Sequence, residues 1–280
     1  MRAAAIGRGR RILRVPDVIH SRGGTCTEAS AAVVFSALQR VGGVSEGQLS
    51  SLNLGTHRGD KPENVRENYR ILGKAVGFAP EETIFTRQEH TDLLLRVGRA
   101  DCGTGLDREQ TAVCDGILTD EPGVALVCFA ADCTPVLLFD PVRQAIAAVH
   151  AGWRGTAQGI AYKAVLRMQE EFGCAPEDIR AAIGPCIGRC CFEVGPEVPD
   201  AMREALGADA EAAIEPRGEK AHVDLKLLNR IWLQKAGVQV IDVSPDCTMC
   251  HPDRFWSHRV TGGARGSQAA IIRLKGGAAQ

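Results

Sequence analysis

The segment GVALVCFAADCTPVLLFDPVRQAIAAVHAG, residues 123–152, contains two apolar runs of strand length, GVALVCFAADC and AIAAVHAG, separated by the proline-containing link FDPVRQ. Such runs are typical of buried strands. Each run ends in residues that can do chemistry: Asp132 and Cys133 in the first and His150 in the second. Because functional groups often lie on loops at the edge of a rigid sheet, we expect a site where these strands end.

Strand and helix signals are interleaved on both sides of this segment. The predicted elements are a strand or short helix in AAVVFSAL (31–38), a helix from about 62 to Gly77, a short strand in TIFTRQEH (83–90), an amphipathic helix over 155–173, helices around 197–206 and 224–236, and a final strand in AAIIRL (269–274). We find no repeat and no low-complexity linker. The sequence therefore predicts one α/β domain over residues 31–280.

Composition and charge exclude several classes of protein. The chain has 280 residues, of which 45% are hydrophobic and 24% charged, as in ordinary globular proteins. Its net charge of −1 and its 5% aromatic content argue against a nucleic-acid partner. No uncharged apolar run reaches the ~18–20 residues that a membrane-spanning helix needs. We expect a soluble, cytoplasmic protein without nucleic-acid or membrane partners.

The first thirty residues differ from the rest of the chain. They contain six arginines but only two acidic residues, Asp17 and Glu28. Organellar transit peptides are also rich in arginine, but they show a serine-rich amphipathic run that is missing here. We interpret residues 1–30 as an N-terminal extension and expect it to be poorly ordered.

The chain has 11 cysteines, an odd number, and no secretory signal, so we interpret them as reduced thiols. Two groups stand out, Cys186, Cys190 and Cys191 in IGPCIGRCC and Cys247 and Cys250 in CTMC. A structural zinc site built from both groups is one interpretation. Packing is the favoured one, because the groups lie on different predicted elements.

Three other segments concentrate possible metal ligands: QEHTD with His90, AADCTP with Cys133 and HAGWRG with His150. Two imidazoles and one thiolate suit Zn²⁺ and leave a fourth position open, which is typical of catalytic zinc. Cu²⁺ is also compatible with these ligands. A metal-free alternative uses Cys133 as a nucleophile with His150 or His90 as its base.

The ordered series of motifs resembles the YfiH-type laccase-domain family, formerly called polyphenol oxidases and now described as multifunctional purine nucleoside phosphorylases. The motifs are VGGVSEGQLSSLNLGTHRGDKPENVRENY, QEH, CDGILTDEPGVALVCFAADCTPVLLFDP, AAVHAGWRGTAQGI, IGPCIGRCCFEVG and CTMCHPDRFWSHR, and the match covers roughly residues 31–274. The resemblance implies a single-domain layered sandwich of mixed β-sheets flanked by helices. It also implies a metal site of His90, Cys133 and His150.

The resemblance implies phosphorolysis of adenosine, inosine and methylthioadenosine to a base and a pentose 1-phosphate, together with adenosine deamination. The substrates are then purine nucleosides and phosphate. We expect Asp132 to move protons, and Arg154, Arg259 and Asn53 to bind substrate, the arginines as phosphate donors. An alternative is an amidase that edits a peptidoglycan precursor, with Cys133 or zinc-activated water attacking the amide. A copper-dependent polyphenol oxidase is less favoured, because one Cys and two His form a single site.

Overall fold

The computed structural model describes residues 33–37 and 39–274, so the predicted N-terminal extension lies outside the described residues. The strands are β1 (Val33–Ala37), β2 (Thr83–Ile84), β3 (Leu94–Arg96), β4 (Gly116–Thr119), β5 (Ala125–Ala130), β6 (Thr134–Asp140), β7 (Ala145–Ala151), β8 (Arg180–Ile183), β9 (Glu193–Val194), β10 (Ile214–Arg217), β11 (Lys220–Val223), β12 (Val240–Val243) and β13 (Gln268–Leu274). The helices are α1 (Pro62–Val76), α2 (Trp153–Ala157), α3 (Ile160–Phe172), α4 (Glu197–Leu206), α5 (Leu225–Lys235) and α6 (His258–Thr261).

The described strands form three sheets. A four-stranded sheet has the order β1-β13-β5-β2, a six-stranded sheet has the order β12-β8-β6-β7-β4-β3, and a small sheet has the order β10-β11-β9. The first two sheets are mixed, because β2 pairs with β5 in parallel whereas β5 and β13 are antiparallel, and β12 and β8 are parallel whereas β8 and β6 are antiparallel. This architecture confirms the predicted α/β fold with mixed sheets and flanking helices.

The two larger sheets face each other, and helices cover their outer faces. Side chains alternate along β5, so Leu126 and Cys128 pack against β6 and β7 residues between the sheets, while Val127 packs against α1. On the outer face of the six-stranded sheet, β7 packs against α3. The chain thus forms four layers, α/β/β/α, in which strands buried on both faces account for the long apolar runs.

The interpretation of residues 123–152 as two strands was incomplete, because TPVLLFD forms a third strand, β6. Asp132, with a φ of 82°, lies in the sharp bend between β5 and β6, which takes the chain from the four-stranded to the six-stranded sheet. The predicted link FDPVRQ begins with Phe139 and Asp140, which are the last two residues of β6.

The single helix predicted over 155–173 is two helices. Gly159 separates α2 from α3 with a φ of 71°, a left-handed conformation that glycine adopts without steric cost. The other helix predictions are confirmed: α1 begins at Pro62 and ends at a left-handed Gly77, and α4 and α5 lie where expected. Among the helices of the described residues, none is both long and apolar enough to span a bilayer.

Candidate active site

His90, Cys133 and His150 meet at one end of the sandwich, and we call them the triad. His90 follows β2, Cys133 lies between β5 and β6, and His150 is near the end of β7. Antiparallel pairing of β6 with β7 sets Pro135 opposite His150, which brings Cys133 beside the imidazole. One possible ligand atom from each triad residue lies within 4.8 Å of the others.

Two features of the backbone allow this close approach. His90 and Asp132 have φ values of 62° and 82°, a left-handed conformation that is uncommon outside glycine and concentrates at functional sites. Gly152 follows β7, and a Cβ atom there would lie 2.6 Å from His90 Cδ2 and 3.2 Å from Cys133 Sγ. Glycine at position 152 is therefore required for the triad to assemble.

The buried carboxylate of Asp115 positions the residues of the triad, and this role was not predicted from the sequence. The carboxylate accepts hydrogen bonds from His150 Nδ1 at 2.7 Å, from the backbone N–H groups of Glu89, His90 and Thr91, and from the Thr91 hydroxyl at 2.7 Å. A carboxylate can only accept, so His150 Nδ1 carries the proton and Nε2 is available to a ligand. Burial raises the pKa of Asp115, but bonds from His150 and Thr91 outweigh burial and lower it to about 2.

The charges within the triad favour a thiolate. Burial raises the pKa of Cys133, but the charge of His150 and hydrogen bonds from both imidazoles lower it to about 6. Burial lowers the pKa of His150, whereas Cys133 and Asp115 raise it to about 9. Cys133 Sγ lies 3.6 Å from His90 Nε2. The ionised sulfur is the form that binds metal or acts as a nucleophile.

The triad opens onto a cavity of about 570 Å³. Three of the four cavity-lining arginines come from separate elements: Arg58 and Arg265 from two loops, and Arg259 from the short helix α6. Arg265 is largely buried, and desolvation together with the nearby charge of Arg58 lowers its pKa to about 10. The side chains of Phe129 and Phe192 form an apolar part of the cavity wall. The cavity thus combines anion-binding groups, flat apolar surface and the triad, as expected for a small-molecule site.

Asp132 lies beside Cys133 but is fully engaged. One carboxylate oxygen accepts from the Thr248 hydroxyl at 2.5 Å, and the other accepts from the Ser257 hydroxyl at 3.0 Å and the Arg259 N–H at 2.7 Å. Asp132 therefore anchors the wall that carries Arg259 into the cavity. Proton transfer by Asp132 stays a prediction.

Two residues predicted to bind substrate do not line the cavity. Arg154 is exposed in α2, and its guanidinium lies over the ring of Trp153, 4.3 Å from the ring centroid. Asn53 is fully buried; its side chain accepts from the N–H groups of Gly55 and Ser267 and donates to Asp60. Asn53 therefore shapes the loop before Arg58 instead of contacting the cavity.

Two cavity arginines, Arg58 and Arg265, were not predicted from the sequence. Arg58 follows the SSLNLG motif, and Arg265 follows the two glycines of TGGARGS. An arginine next to a glycine-rich turn was the available sequence signal for a cavity residue. This signal is not specific, because many surface turns also have an arginine beside them. Two groups of His and Cys side chains among the described residues can hold a metal: the triad, and a cluster of four cysteines, one loop of which contacts Asp132 through Thr248.

Comparisons with known proteins agree with this architecture. The profile of the multi-copper polyphenol oxidoreductase laccase family matches residues 34–275. The purine nucleoside phosphorylase YlmD of Geobacillus stearothermophilus is 38% identical over 247 residues, or 86% of this chain and 90% of the relative. A purine nucleoside phosphorylase of Bacteroides thetaiotaomicron is 38% identical over 229 residues, or 80% and 84%. The crystal structure of YlmD from G. stearothermophilus has a TM-score of 0.84 at 36% identity and covers 89% of this chain and 94% of its own.

Proposed function

The chain belongs to the multi-copper polyphenol oxidoreductase laccase family, and on that premise we propose that it is a zinc-dependent purine nucleoside phosphorylase that also deaminates adenosine. The names of its relatives support a phosphorylase. The observation that carries the proposal is the placement of three cavity arginines next to the triad. Phosphorolysis needs an anion site that holds phosphate against the anomeric carbon of the nucleoside, together with a group that stabilises the departing purine.

The triad residues fit a metal. His90 is exposed, Cys133 half-buried and His150 buried, so the donor atoms line an opening to the cavity. His90 Nε2, the Cys133 thiolate and His150 Nε2 would hold zinc, and Asp115 would orient His150 as an outer-shell carboxylate. When bound, zinc supplies a Lewis acid that polarises an oxygen or activates water. Cu²⁺ is the second candidate for these ligands.

The arginines would hold phosphate against the sugar. Guanidinium groups form short, charge-assisted hydrogen bonds to phosphate oxygens, and the part-buried Arg265 does so with little competition from water. Attack of phosphate at the anomeric carbon, with loss of the purine, then yields a pentose 1-phosphate. Phe129 and Phe192 offer apolar surface for the purine. Asp132 would keep Arg259 in place.

The test is to incubate the purified protein with inosine, adenosine or methylthioadenosine, with and without phosphate, and to follow bases and pentose 1-phosphate by chromatography. The proposal predicts base release that depends on phosphate and matches the pentose 1-phosphate formed. Inosine appearing from adenosine without phosphate would support deamination. Nucleosides that remain intact in the zinc-loaded protein would contradict the proposal.

The low pKa of Cys133 favours one second candidate, an amidase in which the thiolate attacks the amide of a peptidoglycan precursor. In metal-free protein, alkylation of Cys133 should then have its midpoint near pH 6. An ordinary thiol has a midpoint near ~8.5. Hydrolysis of such an amide by metal-free protein, lost on alkylation, would favour this candidate over the phosphorylase.

A copper-dependent polyphenol oxidase is the least favoured candidate. Among the described residues, the triad is the one group that combines His and Cys ligands. Oxidation of a phenol by the copper-loaded protein, at a rate comparable with phosphorolysis by the zinc-loaded protein, would contradict this ranking.

A further inference from the structure

A second group of possible ligands lies outside the cavity and has no role in the proposed reaction. Cys190, Cys191, Cys247 and Cys250 form this group, which we call the four-cysteine cluster. Their Sγ atoms all lie within 4.8 Å of one another, and Cys250 Sγ lies 3.6 Å from Cys190 Sγ and 3.4 Å from Cys191 Sγ. Two loops supply them, one between β8 and β9 and one after β12.

We propose that the four-cysteine cluster is a structural zinc site. Zinc bound tetrahedrally at about 2.3 Å from each sulfur sets the sulfurs about 3.8 Å apart. Two of the observed separations, 3.4 and 3.6 Å, lie close to that value, and all four Sγ atoms lie within 4.8 Å of one another. Four thiolates close the coordination shell, and closed sites of this kind are structural. The pairing of a C-x-x-C motif with two further cysteines is also typical of such sites.

Backbone contacts hold the two loops of the cluster together. The Gly188 N–H donates to Cys247 Sγ at 3.2 Å, and the Thr248 N–H donates to the Cys186 carbonyl at 3.0 Å. A Cβ atom on Gly188 would lie 3.2 Å from Cys190 Sγ and 3.3 Å from Cys247 Cβ. The loop therefore needs glycine at position 188 to pass close to the sulfurs.

A buried cation lies next to the cluster. Lys226 Nζ donates to the carbonyl oxygens of Ser244 and Asp246, directly before Cys247, and Lys226 has no ion-pair partner among the described residues. A buried lysine is costly unless its charge is balanced. Zinc with four thiolates carries a net charge of about −2, which would balance it.

The two loops that carry the four-cysteine cluster also contact or form one wall of the cavity. Thr248, between Cys247 and Cys250, donates to Asp132, which also holds Arg259. Ile187 and Phe192, on either side of Cys190 and Cys191, line the cavity. Zinc at the cluster would fix both loops to the body of the protein and thereby stabilise one wall of the site.

The test counts zinc bound per chain by mass spectrometry in protein purified under reducing conditions. We expect two zinc ions in the wild type, one in Cys133→Ala, one in Cys250→Ser and none in the double variant, following the two groups of ligands. Cys102→Ser is the matched control, since Cys102 is a half-buried thiol outside both groups, and it should keep both ions. Folded Cys133→Ala protein without zinc would overturn the proposal.

A second measurement does not depend on the folding of a cluster variant. In Cys133→Ala protein loaded with Co²⁺, four sulfur ligands should give an intense tetrahedral visible spectrum and sulfur-to-metal charge transfer. Exposed Cys190 and Cys250 should resist a thiol reagent until a chelator is added. Immediate reaction of both thiols, or a disulfide between cluster cysteines in the purified protein, would overturn the proposal.

Discussion

The triad and the four-cysteine cluster are both linked to Asp132, which directly precedes Cys133 and accepts from Thr248 of the cluster loop, and the two groups differ in the metal site that each would form. The triad offers three ligands, opens onto the cavity, and rests on the buried carboxylate of Asp115 at the ends of strands. The cluster offers four ligands on two loops, next to a buried lysine. Three protein ligands that leave one coordination position open, with a carboxylate bonded to one of the ligands, suit a catalytic metal. Four protein ligands fill the coordination shell and suit a structural metal.

Cys133→Ala should have the largest effect on activity. It removes a thiolate ligand from the triad, so we expect kcat/KM for inosine phosphorolysis to fall by about 10³ or more, because a bound metal supplies several kcal/mol of transition-state stabilisation. When both proteins are compared without metal, the thermal midpoint should change little, since Cys133 is half-buried and lies at the cavity. Steady-state kinetics and a thermal melt measure both quantities, with Cys102→Ala as the control. A Cys133→Ala protein that keeps its activity would show that turnover does not depend on the triad, and would contradict this prediction.

Asp115→Asn should weaken the triad without removing a ligand. The amide keeps the shape of the carboxylate but loses its charge and one acceptor, so zinc affinity at the triad should fall about 10–100-fold. Competition with a chelator, in the Cys250→Ser background, reports that affinity. Thr91→Val removes one hydroxyl donor to Asp115 and should have a smaller effect. Equal zinc affinity in Asp115→Asn and the wild type would contradict a carboxylate-supported site.

Arg265→Gln tests the proposed phosphate site in the cavity next to the triad. Loss of a charged hydrogen-bond donor should raise the KM for phosphate about 10-fold or more, at ~1.5–3 kcal/mol per such bond. Arg154→Gln is the matched control, because Arg154 stacks on Trp153 outside the cavity and its loss should change the KM less than twofold. The reverse pattern would return phosphate binding to Arg154.

Cys250→Ser should have the smallest effect on turnover. Loss of zinc from the cluster should lower the thermal midpoint by several degrees, at roughly 2–4 °C per kcal/mol for a chain of this size. The value of kcat should stay within about threefold, because Cys250 does not line the cavity. A loss of kcat as large as that of Cys133→Ala would remove the distinction between the two regions.

The sequence predicted the parts of this picture that depend on local pattern. Long apolar runs identified the buried strands β5 and β7, and proline and glycine signals identified both ends of α1. The strand β6 was missed because a strand buried on both faces shows no alternation of apolar and polar residues, so the apolar stretch after Cys133 gave no boundary signal of its own. The pattern of apolar and turn-forming residues within a segment predicts whether it forms a helix or a strand, but it does not predict which sheet a strand joins.

The residues that the sequence did not identify depend on contacts between distant segments. Asp115 gains its role from His150 and from the turn at His90, and nothing in CDGILTD indicates either contact. Arg154 follows His150 closely in the sequence, but the start of α2 turns it out to solvent. Cys190 and Cys250 are separated by 60 positions and come within 3.6 Å only through loop packing.

Zinc titration of metal-free Cys190→Ser protein tests most directly whether metal at the triad supports phosphorolysis, because the triad is then the zinc site that remains. Formation of ribose 1-phosphate from inosine and phosphate is measured after each addition. We expect the rate to rise in proportion to zinc and to reach its plateau at one ion per chain. A rate that is already maximal before zinc is added, or that stays at zero when the triad is filled, would contradict a metal-dependent phosphorylase at this site.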